Sequence, residues 1–173
     1  MTDRSAEPAA TPDIVAGHRP ADGLLHPVAL GALVVLIVND QLLKTLWPGA
    51  VTGKLSDVAG LIVAPLAVQA AWEVAQWLVG RWQRPSRTVL GVALATVGIG
   101  FAATQVWPAA SEVYAVGLGV VQWPFRVIAA WGAGVPGVGA VPVVAVADAG
   151  DLLALPALVI PWWMGRARAA RRS

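Results

Sequence analysis

Between Asn39 and Gly60 the chain reads N-D-Q-L-L-K-T-L-W-P-G-A-V-T-G-K-L-S-D-V-A-G, and Asp40, Lys44, Lys54 and Asp57 interrupt two strongly apolar stretches there. A second acidic pair, Asp148 and Asp151, stands in D-A-G-D-L-L-A-L-P. Carboxylates in such numbers can ligate a hard divalent cation through oxygen or act as general acids and bases. Lysines with Arg126 can position a phosphate. The candidates for catalysis are therefore Asp40, Lys44, Lys54, Asp57, Asp148 and Asp151. Asn39, Ser56 and Arg126 are the candidates for substrate binding, and Asp40, Asp57, Asp148 and Asp151 are those for a metal. A nucleophilic Ser56 would require Lys54 or Asp57 as its base.

Each of these residues also has a plainer role. Asp40 and Lys44 stand at i,i+4, where an ion pair forms on one helical face. Lys54 and Asp57 are spaced for another such pair. Asp148 suits a helix N-cap with Asp151 as its capping-box partner, and Ser56 suits the N-cap of a helix whose first turn holds Asp57. A closed ion-pair network that sets helix packing thus competes with a reactive site. No cofactor is evident beyond the divalent cation the carboxylates would admit. Neither His18 nor His26 falls in the cluster, and carboxylates alone do not identify a metal. The chain lacks an H-E-x-x-H, a Walker sequence and a G-x-S-x-G elbow. It has no cysteine, so thiolate chemistry and disulfides are excluded.

The elements that must position these groups are membrane helices. Of the 173 residues 57% are hydrophobic and 13% charged, and several stretches of about twenty residues carry no charge, enough to cross roughly 30 Å of hydrocarbon. A net charge of +2 gives no bulk attraction to nucleic acid. Residues 1–23 are polar, Ala- and Pro-rich and of mixed charge, the composition of a disordered tail. A cleaved signal peptide fits less well, because Asn39-Asp40 follows the apolar run Val28–Val38 at once and no small-x-small site appears. The membrane domain is 24–165, with spans expected at about 26–47, 57–80, 88–107 and 149–164, and a basic tail follows at 166–173. Pro48-Gly49 would close the first span. The apolar run Val113–Val121 is only nine residues long and is interrupted by Gln122-Trp123-Pro124-Phe125-Arg126, and the Gly- and Pro-rich stretch 127–147 is expected to be interfacial or re-entrant, covered by other helices. The expectation is an all-α integral membrane protein, a bundle of four transmembrane helices with that segment before the last.

Arg81, Arg84 and Arg87 in one loop, and the arginines after Met164, place those segments in the cytoplasm by the positive-inside rule, with both termini there. Trp77, Trp82, Trp162 and Trp163 would mark the inner interface, and Trp47, Trp107, Trp123 and Trp131 the outer. Asp40, Lys44, Lys54, Asp57, Glu112, Arg126, Asp148 and Asp151, eight of 22 formal charges, then converge on the outer face. Charges at such depth are costly enough to suggest function.

The pattern N-D-x-x-L-K, P-G-x-x-T-G-K-L-S-D-x-A-G-L, Q-W-P-F-R and D-x-x-D-L-L-A-L-P, over roughly 39–161, resembles a group of small bacterial integral membrane proteins of unknown function. The resemblance implies no activity. It makes Asp148-Ala149-Gly150-Asp151 a departure from an expected D-P-T-D, which removes a hydroxyl. An Ala-, Val-, Arg- and Trp-rich composition suits a high-GC bacterium, and the expected location is the bacterial inner membrane.

Three functions follow as expectations. The first is a membrane scaffold or accessory protein that meets the lipid bilayer and a membrane-protein partner or a second copy of itself. The next is an enzyme on a phosphorylated or lipid-linked substrate at the outer leaflet. The last is a small transporter, which would need a polar route from the cluster toward Glu73.

Overall fold

A computed structural model describes residues 19–43, 46–47, 49–82, 84–135, 138–143 and 147–170. Within these the chain is helical, with no strand. The helices are α1 (Pro27–Val38), α2 (Ala50–Leu78), α3 (Arg87–Val106), α4 (Pro108–Gly132) and α5 (Val159–Ala170). A π-helical turn, Asn39–Leu43, extends α1, and a 3-10 helix, Ala149–Leu158, leads into α5. Lys44, His18, Pro48 and the first eighteen residues of the N-terminal tail lie outside the described residues.

Local chemistry sets the helix ends. The His26 ring Nδ1 accepts the Val28 N–H ahead of a helix that begins with Pro27, a residue suited to the first helical position. Helix α2 begins at Ala50, seven residues before the expected start. Gly49 is its N-cap, and the Thr52 hydroxyl accepts the Gly49 N–H at 3.2 Å and donates to the Gly49 carbonyl at 2.8 Å. With that cap made by Thr52, Ser56 sits inside the helix rather than at its N-cap, and Lys54, Ser56 and Asp57 share its first two turns. Helix α2 closes at Gly80, whose φ of +68° is the left-handed position glycine favours, and the Arg81 N–H returns to the Gln76 carbonyl at 2.8 Å. Ser86 caps α3 by accepting the Val89 N–H.

The chain from 108 to 132 differs most from expectation. Gln122-Trp123-Pro124-Phe125-Arg126 does not interrupt it, and α4 runs through Pro124 as one helix of 25 residues. Proline forfeits one backbone bond and crowds the preceding turn, yet the flanking turns hold. Beyond α4 the chain reverses at Gly134 (φ +71°). Residues 138–143 lie back along the helix. The Trp123 indole N–H donates to the Val138 carbonyl at 2.7 Å, and the Val143 N–H donates to the Ala115 carbonyl at 3.0 Å. Between them Gly119 allows the closest approach, since a Cβ there would lie 2.4 Å from the Val141 carbonyl oxygen. This return delivers Asp148 to the end of the molecule where α4 began.

Three helices are long and apolar enough to cross a membrane: Val51–Leu78, Arg87–Val106 and Pro108–Gly132. Their surfaces match that role. In the most apolar window of α2, 44% of residues are buried, against 11% in α3 and 6% in α4. Helix α2 is thus the central element, flanked by α1, α3, the 3-10 helix and α5. Apolar side chains such as Val92, Ile99, Val113 and Val121 face outward, as in a helix solvated by lipid. Ala29, Leu66, Leu90 and Met164 form a buried apolar cluster joining α1, α2, α3 and α5, with Leu24 and Leu94 packed against it.

Candidate functional site

The antiparallel helices leave two polar ends. One gathers the start of α2, the end of α3, the start of α4 and the start of the 3-10 helix, and most of the candidate residues meet there.

The first group joins the π-helical turn to α2. Asn39 is fully buried, and its amide nitrogen donates to the Thr52 carbonyl and to the Ser56 hydroxyl, both at 2.6 Å. Ser56 in turn donates to Asp40 Oδ1 at 2.7 Å. Thr52 and Ser56 can both meet Asn39 because residues four apart share a helix face. The π turn matters here, since it replaces the i,i+4 geometry of an α-helix at Asp40. The carboxylate bonded to Ser56 is therefore Asp40, where Lys54 or Asp57 had been the expected base. A carboxylate holding a hydroxyl this way stabilises its own charge more than it activates the oxygen. Among the described residues Asn39 Oδ1 is buried with no hydrogen-bond partner, an arrangement that costs about 1–3 kcal/mol.

The second group joins α2 to a segment almost a hundred residues later. Lys54 Nζ donates to Asp151 Oδ1 at 2.8 Å, and both side chains are partly exposed. Asp148 and Asp57 lie within electrostatic range of the same ammonium. A lysine near a helix N-terminus opposes the helix dipole, so these carboxylates offset an otherwise unfavourable placement. Asp148 caps the 3-10 helix as expected, accepting the Gly150 N–H at 2.8 Å. Its own N–H donates to Gln105 Oε1 at the end of α3. Asp151 turns to Lys54. Gly150 makes room for this contact, because a Cβ there would lie 3.0 Å from Asp148 Oδ1 and 3.4 Å from Lys54 Nζ. The departure from D-P-T-D thus falls where Asp148 and Lys54 come close. Tyr114 of α4 lies within electrostatic range of Asp57.

Arg126 is not brought to this group. It lies eighteen residues into α4, roughly 27 Å along the helix axis from Pro108. The unbroken course of α4 also carries Trp131 to the far end from Trp107. Glu112 is exposed in the first turns of α4. Asp40, Asp148 and Asp151 take different partners, and no group of three His, Cys, Asp or Glu residues suited to a metal gathers among the described residues.

Sequence reasoning missed Thr52, Gln105 and Tyr114. Thr52 was legible as the residue four before Ser56, and Gln105 as a polar residue in the last turn of an apolar helix. Tyr114 carried no local signal, because its role depends on how α4 packs.

The opposite end is built differently. Glu73, 3% exposed, accepts the Ala21 N–H and the Gln69 amide, each at 2.9 Å. Arg168 pairs with Asp22, which ties the end of α5 to the segment before α1. Between Asp57 and Gln69, α2 presents only apolar residues and glycine, so it supplies no polar route joining the two ends.

No family model, curated protein or solved structure matches the chain.

Proposed function

We propose that this is a bacterial inner-membrane scaffold or accessory protein whose acidic end faces away from the cytoplasm. One observation carries the reading: the Lys54–Asp151 ion pair, closed across 97 residues of sequence. It binds the start of the central helix to the start of the last membrane segment. The candidate charges then serve to hold helix ends in register and to present an acidic surface to a membrane partner or a second copy.

The same reading gives the orientation. Asp40, Asp57, Glu112, Asp148 and Asp151 share one end with Lys54, while Arg81, Arg84, Arg87, Arg166 and Arg168 share the other. The positive-inside rule places the arginine end and both termini in the cytoplasm. Ala149–Ala170 completes the bundle beside the three long helices. Ten residues at about 2.0 Å and twelve at about 1.5 Å span roughly 38 Å, enough to cross. Residues 138–143, lying along α4, supply the re-entrant part.

A second reading is an enzyme acting at the outer leaflet on a phosphorylated or lipid-linked substrate. The orphaned Asn39 Oδ1 beside Ser56 and Asp40 favours it, because π turns and unsatisfied buried groups recur at functional sites. Asp→Asn variants at positions 40, 57, 148 and 151 separate the two. For a scaffold, thermal stability in membranes falls with Asp151→Asn and Asp148→Asn. An enzyme would keep its stability while losing its cellular role, an outcome that would sink the scaffold reading.

A further inference from the structure

We propose that the arginine end carries a binding site for the phosphate headgroup of an anionic glycerophospholipid, between the start of α3 and α5. A cavity of about 230 Å³ opens there, lined by Arg87, Leu90, Trp162, Gly165 and Arg166. Its parts suit a lipid rather than a free ion. Leu90, 2% exposed, forms an apolar floor, and the half-exposed Trp162 forms a wall of the kind found at headgroup depth. Gly165 lets Leu90 pack against α5 to form that floor, since a Cβ there would collide with the Leu90 side chain.

The rim is cationic. Arg168 is paired with Asp22, whereas among the described residues neither Arg87 nor Arg166 has a carboxylate partner. Two guanidinium groups over one cleft present the forked donors that phosphate oxygens accept. Arg87 also occupies the first position of α3, where the helix dipole favours an anion. Basic clefts between membrane helices on the cytoplasmic side recur as anionic-lipid sites. This inference is independent of the acidic end and of the role proposed for it.

The test uses the full chain in neutral detergent, titrated with phosphatidylglycerol or phosphatidylcholine and read by native mass spectrometry. We expect phosphatidylglycerol to be retained in preference to phosphatidylcholine. Arg87→Gln and Arg166→Gln should each weaken retention about fivefold, the effect of one basic residue near an anionic surface. Arg81→Gln with Arg84→Gln removes equal charge from the same end and should leave retention near that of the unaltered chain. Equal losses in this double variant and in Arg87→Gln combined with Arg166→Gln would mean diffuse attraction and overturn the site. Inorganic phosphate displacing the lipid at similar concentration would overturn the lipid assignment. A second measurement needs no arginine variant. Phosphatidylglycerol with brominated chains should quench a component of tryptophan fluorescence that Trp162→Phe removes; identical quenching in both chains would also overturn the proposal.

Discussion

The two polar ends of the bundle are held by opposite means. At the arginine end an apolar cluster, Ala29, Leu66, Leu90 and Met164, packs the helices, and Glu73 and Gln69 of α2 are each only 3% exposed. At the acidic end helix ends meet through side-chain hydrogen bonds and a long-range ion pair. The difference shows what each end can do. Close packing tolerates little change and suits a fixed anchor for the chain ends. The partly exposed Lys54–Asp151 pair can exchange its partners with water or with another protein.

Substitutions should separate the two kinds of end, in descending order of effect. Leu90→Ala removes the residue shared by the core and the cleft, and should cost about 2–5 kcal/mol, read as the loss of unfolding free energy in mixed micelles. Glu73→Ala should follow at about 1.5–3 kcal/mol, because hydrogen bonds to a charged acceptor are the stronger kind and the Gln69 amide would be left buried without its acceptor. Asn39→Ala should cost less, about 1 kcal/mol, near the range for polar contacts between membrane helices. It deletes two short bonds but also an oxygen with no partner. The smallest effect is expected for Gly150→Thr, which crowds Asp148 and Lys54 by a few tenths of an ångström; a modest fall in thermal midpoint would check it. An acidic end as sensitive as Leu90 would erase the contrast.

Much of this was legible in sequence. Uncharged stretches announced membrane helices because the bilayer imposes length and composition, and the paired polar motifs announced the acidic end. The arginines announced the other. Three features escaped for physical reasons. Helix α2 starts early because Thr52 and Gly49 cap it through backbone contacts that propensity does not reveal. Pro124 and Arg126 read as a break, yet a long apolar helix tolerates one proline when its neighbouring turns are intact. Lys54 had Asp57 three residues away as an obvious partner, while its actual partner, Asp151, arrives through the return of the chain along α4. Sequence spacing predicts contacts within a helix and is silent about those between helices.

The central claim is that Lys54 and Asp151 act as a unit holding the acidic end together. A double-mutant cycle with Lys54→Gln, Asp151→Asn and both together, read as thermal unfolding of the chain in lipid nanodiscs, tests it most directly. Each single change should lower the midpoint, Lys54→Gln the more because it leaves Asp57, Asp148 and Asp151 without their shared cation. The double variant should lose clearly less than the sum of the two, the signature of directly interacting residues. Strictly additive losses, or no loss in either single variant, would contradict the account.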